Sequence, residues 1–352
     1  MDRTHWMQRC LQLARLGAAG AAPNPMVGAV LVQGDRVLAE GWHHAAGQPH
    51  AEVECLRAFG DGPVPADAVM FVSLEPCAHH GRTPPCADLL IARGVKQVVV
   101  AHEDPFPQVA GRGIAKLRAA GLQVDVGLGA GEARWTNRRF LTSVERQRPY
   151  IVLKWARSAD GFLDRHPRGE RGVQRISAPA TDVRVHLWRS EEQAILVGSR
   201  TVVNDDPQLT VRLVEGRQPL RVVIDRGGLA PRGSRIFDAA APTLLFTTKP
   251  REDIGGEQCA LDPTADVLPQ VLAELHRRNM RSVLVEGGAE LLGHFLRAGL
   301  WDEARVITGT PVFGRGTPAP DVPHAPVREL ASGPDRITFH LNGHTPDPAW
   351  TW

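Results

Sequence analysis

Pro-His-Ala-Glu at residues 49–52 and Leu-Glu-Pro-Cys-Ala-His-His-Gly-Arg-Thr-Pro-Pro-Cys at residues 74–86 are the segments most informative about the fold. They contain His50, Cys77 and Cys86, which are the residue types of a hydrolytic zinc site. Such a site needs three protein ligands and one open position for water, and zinc accepts both imidazole and thiolate ligands. The pKa of water bound to zinc falls to about 7, so that hydroxide becomes available at neutral pH. The two segments therefore predict a catalytic zinc centre.

Glu52 is the predicted catalytic residue of this centre, because a deamination needs a proton shuttle that is not itself a ligand. The general pattern of nucleobase deaminases is His-x-Glu followed by Pro-Cys-x-x-Cys. Here Cys86 comes nine positions after Cys77, so the loop between the thiols is longer. Distance in space decides metal ligation, and the long loop does not exclude zinc.

Each of these residues also has a structural interpretation. A histidine before a helix can be a cap, a cysteine can be a small buried apolar residue, and a glutamate in a first turn can complement the helix dipole. His79 and His80 could instead complete a closed structural zinc site. We favour a catalytic zinc site over a structural one, because the combination of His-Ala-Glu with a later Glu-Pro-Cys rarely occurs by chance.

The composition indicates a globular protein of about two domains that acts on small molecules. The chain has 352 residues, which is longer than a single domain with one hydrophobic core usually is. Of these residues 43% are apolar and 23% are charged, as in globular proteins. With a net charge of +2 and only 5% aromatic residues, the chain has neither the strong positive charge nor the many aromatic side chains that are typical of nucleic-acid-binding proteins. An odd count of five scattered cysteines argues against a disulfide framework and favours the cytoplasm. Residues 1–16 read as an amphipathic helix, and neither a signal peptide nor a membrane span is expected there.

Short strands alternate with helices along the whole chain, which predicts two layered α/β domains at residues 1–147 and 148–352. In the first domain we expect strands at 27–32, 37–40, 69–73, 97–101 and 122–126, and helices at 51–59, 87–92, 113–120 and 132–140. In the second we expect strands at 151–155, 194–198, 220–224, 243–247, 282–285 and 304–307, and helices at 179–189, 268–278 and 290–298.

The N-terminal half resembles the deaminase half of the bifunctional deaminase–reductase family of riboflavin biosynthesis, over residues 24–28, 49–52, 74–86 and 104–113. The long loop between the cysteines is a feature of that family. The resemblance implies a cytidine-deaminase-like three-layer domain that removes the 2-amino group of a diaminopyrimidinone carrying a ribosylamino 5′-phosphate.

The same resemblance assigns roles to individual residues. It implies that the metal ligands are His50, Cys77 and Cys86 and that the proton shuttle is Glu52. It also implies that Asn24 and His43 line the substrate pocket, although the neighbouring His44 leaves open which imidazole faces it. On sequence alone, Asn24 and Pro25 could form a simple turn.

The second half contains no Gly-x-Gly-x-x-Gly after its first predicted strand, so an ordinary Rossmann phosphate loop is not expected. Instead Gly287-Gly288 stands between a strand and a helix, where backbone N–H groups could approach a pyrophosphate. Asp205-Asp206-Pro207 can be a solvated turn, or it can belong to a phosphosugar site. The candidate partners in such a site are Lys154, Arg189, Arg212 and Glu286.

Residues 153–161, 201–212, 221–225 and 285–292 are similar to the reductase half of the same family. This implies a dihydrofolate-reductase-like α/β domain that opens the ribose ring and delivers a hydride from NADPH to its C1′. The implied cofactor contacts are Ala156, Thr201, Asp205, Gly287, Gly288, Ala289, Glu290, Leu291, Leu292, Gly293 and His294. The implied substrate contacts are Arg189, Leu209, Arg212 and Glu286, and we add Lys154 from its place on the first predicted strand of this half.

Two features depart from the family pattern. Residues 162–176 are unusually charged, and Arg175 stands where many members have a tryptophan that contacts the cofactor. Arg226 follows a strand where relatives often have serine. We predict that Arg226 binds the 2′-phosphate of NADPH with a bidentate guanidinium, as a second cofactor-binding arginine beside Arg175.

Three alternatives remain at this stage. The chain could deaminate bases in RNA, which its charge and few aromatics disfavour, or it could hold structural zinc, which leaves Glu52 unexplained. Only the N-terminal half could be active, with a reductase-like domain of reduced or no activity. The leading interpretation predicts Zn²⁺ (one per chain), NADPH and a small phosphosugar pyrimidine substrate, with no nucleic-acid or membrane partner. From the family we also expect a homo-oligomer, a dimer or a tetramer.

Overall fold

The structure, a computed structural model, describes residues 3–79, 84–107 and 109–343. The chain divides into two compact units, one extending to Gln147 and the other beginning at Arg148. Over the described residues, each unit is built on one sheet, of five strands in the first and nine in the second. No helix in the described part combines the length and the apolarity that crossing a bilayer would require.

The N-terminal unit is a mixed sheet with helices on both faces. Its sheet order is β2-β1-β3-β4-β5, in which β3, β4 and β5 are parallel while β1 is antiparallel to both of its neighbours. Its helices are α1 (Arg3–Arg15), α2 (Ala51–Phe59), α3 (Cys86–Ala92), α4 (Arg112–Ala119), α5 (Ala130–Thr136) and α6 (Arg138–Arg146), and its strands are β1 (Gly28–Gln33), β2 (Arg36–Trp42), β3 (Val69–Val72), β4 (Gln97–Val100) and β5 (Gln123–Val126).

Alternation along β3 shows how this sheet separates two apolar layers. Met70 belongs to one buried cluster and Phe71 to the other, because successive side chains of a strand point to opposite faces. Leu56 of α2 lies in the first cluster and Leu11 of α1 in the second. The strand is therefore buried on both sides, which explains why its sequence is a continuous apolar run.

The single helix predicted at residues 132–140 is wrong, because the structure contains two helices, α5 and α6, that meet at Asn137. The side chain of Asn137 accepts the N–H of Met26 at 2.8 Å and donates to the carbonyl of Met26 at 2.9 Å. These two bonds hold residue 26, just before β1, against the break between the helices. The break between α5 and α6 depends on a contact between residues 111 positions apart in the sequence, and a local sequence pattern therefore does not predict it.

The C-terminal unit is a larger sheet of order β10-β9-β8-β7-β11-β6-β12-β14-β13. All neighbours from β10 to β12 are parallel, while β14 is antiparallel to both β12 and β13. Its strands are β6 (Tyr150–Arg157), β7 (Ala194–Gly198), β8 (Leu220–Ile224), β9 (Thr243–Thr247), β10 (Glu257–Ala260), β11 (Ser282–Val285), β12 (Glu303–Thr308), β13 (Arg328–Ser332) and β14 (Asp335–Leu341), and its helices are α7 (Pro179–Glu191), α8 (Ser199–Asp205), α9 (Val267–Arg277) and α10 (Ala289–Ala298).

The central strands β6, β7, β8 and β11 are parallel, so their carboxyl ends meet at one edge of the sheet. Ligands of open parallel sheets bind at this edge, because the loops there leave a crevice above the buried strands. The residues that follow these strands therefore line one cavity.

Candidate functional site

The predicted zinc ligands of the N-terminal unit lie together at the start of two helices. His50 immediately precedes α2, and Cys86 is the first residue of α3. The Nδ1 atom of His50 lies 3.6 Å from Sγ of Cys77 and 3.3 Å from Sγ of Cys86. Their ligand atoms all lie within 4.8 Å of one another, and no other such group of three is found among the described residues.

These distances fit a tetrahedral zinc ion. With Zn–N near 2.0 Å and Zn–S near 2.3 Å, two ligands at the tetrahedral angle are about 3.6 Å apart. His79 is outside this group of ligand atoms, and His80 lies outside the described residues. Of the two histidines that could have closed a structural site, the one that the structure describes does not join the cluster. An open fourth position therefore fits the site.

Glu52 lies in the first turn of α2 and is buried, with 3% of its surface exposed. Burial raises the pKa of Glu52 to about 7, although the neighbouring His50 opposes the shift. Its carboxyl group also interacts with the Cys86 thiol. A carboxyl group with a pKa near neutrality, next to the ligands and not among them, can both accept and return a proton.

His43 lies beside the cluster, whereas His44 is exposed and stacks on Trp42. Nδ1 of His43 lies 3.0 Å from the carbonyl oxygen of Pro49, which can only accept, so Nδ1 carries the proton. Nε2 then accepts from Nδ2 of Asn24 at 3.1 Å. The rings of His43 and His50 are nearly perpendicular, at 87°, with 5.5 Å between their centroids. Asn24 and His43 thus form one pair next to the zinc ligands.

Glu75 is a residue whose role sequence reasoning missed. Its buried carboxylate accepts four backbone N–H groups at 2.8 to 3.2 Å, those of Asp104, Gly111, Gly113 and Ile114. A Cβ atom on Gly113 would lie 1.8 Å from the carbonyl oxygen of Pro76, so only glycine permits this approach. The Glu75 carboxylate therefore fixes the segment around residues 104–114 against the backbone that carries Cys77.

The C-terminal unit contains a cavity of about 900 Å³ at the carboxyl ends of its central strands. It takes residues from the ends of β6 and β7 and from the segments that follow β8 and β11. All but one of the predicted reductase residues line it: Lys154, Ala156, Arg175, Arg189, Thr201, Asp205, Leu209, Arg212, Arg226, Glu286, Gly287, Gly288, Ala289, Glu290, Leu291, Leu292 and His294.

Gly293 does not line this cavity, in contrast to the prediction that it contacts the cofactor. It lies within α10 among the buried residues of that helix, and a Cβ atom there would lie 2.9 Å from the guanidinium of Arg297. One face of a helix points away from a cavity at its N-terminus, which explains why residue 293 is missing from the lining residues.

The loop before α10 has the backbone that a pyrophosphate site needs. Gly287 and Gly288 have φ values of 144° and 69°, which residues with a Cβ rarely adopt. A Cβ atom on Gly287 would also lie 3.2 Å from the hydroxyl of Thr201. Because α10 begins directly afterwards, its unpaired N–H groups and its dipole face the cavity and fit an anionic group.

One wall of the cavity is a network of buried charges. Arg189 holds Glu286 with two hydrogen bonds of 2.6 and 2.7 Å, and Nζ of Lys154 lies 3.6 Å from the same carboxylate. Burial alone would raise the pKa of Glu286, but the charges of Arg189 and Lys154 lower it to about 2. Burial lowers the pKa of Lys154. Glu286 is therefore ionised at every physiological pH.

The charged segment 162–176 is attached to α8 by two arginines. Arg168 forms an ion pair with Asp205, and Arg171 lies 3.2 Å from Asp206. Arg175, where the family resemblance led us to expect a tryptophan, pairs with Asp182 at 2.7 Å. The segment thus supplies part of the cavity wall through ion pairs, in place of an aromatic ring.

Comparisons with known proteins identify similarity across both units. The model of the cytidine and deoxycytidylate deaminase zinc-binding region matches residues 1–102, and that of the RibD C-terminal domain matches residues 149–332. The chain is 38% identical over 319 residues to riboflavin biosynthesis protein RibD of Aquifex aeolicus, covering 89% of this chain and 88% of that protein. It is also 38% identical over 372 residues to RibD of Escherichia coli, covering 97% and 100%.

Solved structures agree with these sequence similarities. The chain is similar to the deaminase/reductase of Thermotoga maritima with a TM-score of 0.85 at 34% identity, over 96% of this chain and 98% of that one. A RibD structure from Acinetobacter baumannii has a TM-score of 0.86 at 34% identity, with the same coverage of both chains. The predicted family, the fold class of both halves and the cofactors, zinc and NADPH, are confirmed. Because both halves match, the interpretation in which only the first is active gains no support.

Proposed function

The chain belongs to the RibD family of bifunctional deaminase–reductases of riboflavin biosynthesis, and from this premise we propose a substrate and a role for each site residue. The N-terminal unit, residues 1–147, removes the 2-amino group of a diaminopyrimidinone that carries a ribosylamino 5′-phosphate. The C-terminal unit, residues 148–352, then reduces the ribosyl group to a ribityl group with NADPH. The observation that carries the proposal is the cluster of His50, Cys77 and Cys86 beside the buried Glu52.

In the deamination, the protein holds the reactants and moves protons. His50, Cys77 and Cys86 would hold zinc, which would supply Lewis acidity and so lower the pKa of water toward neutrality. Glu52 takes one proton from the attacking water and passes it to the ring nitrogen as the C–O bond forms. It then takes the second proton from the new hydroxyl group and passes it to the amine, so that the C–N bond breaks, the carbonyl forms and ammonia leaves. Asn24 and His43 line the pyrimidine and ribose pocket next to this carboxyl group.

In the reduction, the cavity divides between cofactor and substrate. The Gly287–Gly288 loop and the start of α10 bind the pyrophosphate of NADPH, while Arg226 binds its 2′-phosphate. Lys154, Arg189 and Arg212 oppose one carboxylate, Glu286, so that these four residues carry an excess of two positive charges. This excess matches the dianionic 5′-phosphate of the substrate, and we place the phosphate there.

A proton has to reach the ribose oxygen when its ring opens and C1′ accepts the hydride. Three residues of the cavity, Lys154, Asp205 and Glu286, are candidates for the donor. With a pKa of about 2, Glu286 has no proton to give. Burial raises the pKa of Asp205, but its carboxylate is engaged by the ion pair with Arg168. Lys154, whose pKa burial lowers, is the better donor.

Replacement of Glu52 by Gln tests the deaminase assignment. The side chain keeps its size but loses proton transfer, which contributes roughly 10²- to 10⁴-fold to such reactions. Ammonia release should therefore fall by at least about a hundredfold, whereas zinc content should stay near one ion per chain and reduction of the deaminated intermediate should continue. Metal analysis, ammonia assay and mass spectrometry of the products with and without NADPH measure all three. Loss of zinc in this variant would assign Glu52 a structural role.

We also propose that the protein is cytoplasmic and forms a homo-oligomer. All five cysteines are free thiols, and Cys77 and Cys86 must stay reduced to bind zinc, which favours the cytoplasm. The family resemblance favours a homo-oligomer, a dimer or a tetramer. Light scattering of the zinc-loaded protein during size-exclusion chromatography measures the assembly directly.

A further inference from the structure

His186 lies on the cavity wall of the C-terminal unit, yet the reactions described above make no use of it. It is located on α7, one turn before Arg189, and only 5% of its surface is exposed. A histidine so enclosed between the arginines that we assign to the substrate phosphate requires an explanation, because an imidazolium there would add to a local excess of positive charge.

A single hydrogen bond fixes the protonation of the ring. The backbone N–H of Arg212 donates to Nδ1 of His186 at 2.9 Å. A backbone amide can only donate, so Nδ1 must present a lone pair and cannot carry a proton. The ring is therefore neutral, with its one proton on Nε2, and an imidazolium is incompatible with this contact.

The charges around the ring favour the same state. Arg189 and Arg212 face it as cations, and Asp182 and Glu286 face it as carboxylates. Burial, followed by the two arginines, lowers the pKa of His186 to about 4, and the carboxylates offset only part of this. The ring stays uncharged throughout the physiological range.

The bond to Nδ1 also determines where Arg212 lies. The guanidinium of Arg212 donates to the hydroxyl of Thr210 at 2.5 Å, and the Arg189 guanidinium lies 3.4 Å from the Thr210 carbonyl. His186 thus holds the backbone of Arg212 while Thr210 holds its side chain, and both contacts leave the guanidinium at the cavity wall.

We propose that His186 is a positioning residue for the substrate phosphate: its neutral ring holds Arg212 in place through Nδ1 and offers Nε2–H as an uncharged donor to the same phosphate. This inference rests on the proposed placement of the phosphate between Arg189 and Arg212. It extends that placement by naming an uncharged residue that sets its geometry.

Two variants of His186 separate positioning from simple packing. Asparagine can accept at Oδ1 close to the position of Nδ1 and can donate from Nδ2, whereas leucine fills similar space without a polar atom. His276→Leu on α9 is the matched control, because that histidine does not line the cavity.

The readout is NADPH oxidation with the deaminated substrate in its 5′-phosphorylated and its dephosphorylated forms. In His186→Leu, KM for the phosphorylated form should rise roughly tenfold, the loss expected for one hydrogen bond to a charged group. KM for the dephosphorylated form and kcat should stay within about twofold, and His186→Asn should recover most of the loss. An equal rise of KM for both forms, or none, would overturn the proposal.

Nitrogen NMR of ¹⁵N-histidine-labelled protein provides a measurement that does not depend on a variant with altered packing. The resonance of His186, identified by its loss in His186→Asn, should show the neutral ring with the proton on Nε2 at pH 6. A proton on Nδ1, or titration near the ordinary histidine pKa, would overturn the inference. If wild type itself failed to prefer the phosphorylated substrate, the phosphate site would fail and this role with it. A preference that His186→Leu leaves intact would reject the role of His186 alone.

Discussion

The turn after β8 presents Arg226 to the cavity, and the neighbouring Asp225 determines the shape of that turn. The buried carboxylate of Asp225 accepts the N–H of Leu229 at 2.8 Å and that of Ala230 at 3.0 Å. The carbonyl of Arg226 accepts the hydroxyl of Thr248 at 2.7 Å. The backbone is thus fixed while the guanidinium remains exposed, as a phosphate-binding arginine requires.

Arg226→Ala should reduce the preference for NADPH over NADH. A bidentate, charge-assisted contact to the 2′-phosphate contributes about 1.5–3 kcal/mol, so KM for NADPH should rise by roughly 10- to 100-fold. KM for NADH, which lacks this phosphate, should change little. Steady-state oxidation of both cofactors measures the preference, with Arg232→Ala as a control outside the cavity wall. An unchanged preference would exclude Arg226 from cofactor selection.

The residues of the zinc cluster could be predicted from sequence, and Glu75 could not. Zinc chemistry admits few residue types, so His50, Cys77 and Cys86 carry their own signal. The partners of Glu75 are backbone N–H groups, which every residue but proline possesses. Gly113 carries a partial signal, because its close approach to Pro76 requires glycine, but a single glycine is usually a turn.

At the scale of elements, the end of α8 shows how the charged segment 162–176 is attached. Arg171 donates to the carbonyls of Val202 and Val203 at 3.3 and 2.9 Å, and Arg168 donates to the carbonyl of Asn204 at 3.2 Å. These carbonyls belong to the last turn of the helix. That of Val202 also accepts the N–H of Asp206, and the arginines satisfy the carbonyls after it, which lack intrahelical partners. The two arginines thus cap α8 and hold the segment to it.

Arg168→Ala should loosen this segment without unfolding the unit. It removes the ion pair with Asp205 and the bond to the helix end, so the amides of residues 169–176 should exchange roughly tenfold faster. KM for NADPH should rise as well, because Asp205 lines the cofactor cavity. Hydrogen exchange followed by mass spectrometry measures the effect. Arg165→Ala is the control, since Arg165 contacts Phe313 and Val312 instead; equal exchange in both variants would contradict the capping role.

The strands of the C-terminal unit were predicted correctly where burial on both faces of the sheet produces a continuous apolar run. Several other helices and strands were not predicted. The predicted strands at 194–198, 220–224, 243–247 and 282–285 coincide with β7, β8, β9 and β11. Helix α8 and the strands β10, β13 and β14 were not predicted from the sequence. Helix α8 ends in polar residues that resemble a turn. Strands β10 and β13 lie at the edges of the sheet with partly exposed side chains, so their hydrophobic pattern is weak.

At the scale of the whole molecule, each unit keeps apolar layers on both faces of its sheet and concentrates charge at the site. The N-terminal unit places His50 and Cys86 at helix starts, and the C-terminal unit places Lys154 within β6 and Glu286 directly after the neighbouring parallel strand β11. Because these groups are largely withdrawn from water, their interactions with each other set their ionisation. The stability of the C-terminal unit should therefore depend on pH through its buried carboxylate.

Glu286 should stabilise the C-terminal unit at neutral pH and lose that effect in acid. Its pKa is about 2 in the folded protein, below its ordinary value of 4.5, so the ionised form favours folding above pH 4.5. That stabilisation, of about 3 kcal/mol by linkage, should disappear as pH falls from 4.5 toward 2. Glu286→Gln should therefore lower the free energy of unfolding at pH 6, and its difference from wild type should shrink toward pH 3. Urea unfolding, monitored by hydrogen exchange of peptides from β6 and β11, reports on this unit alone.

The control is Glu329→Gln, which removes a half-exposed ion pair with Arg336. It should lower the free energy of unfolding by less than about 1 kcal/mol. A difference for Glu286→Gln that stayed constant with pH would show that Arg189 and Lys154 do not stabilise its charge.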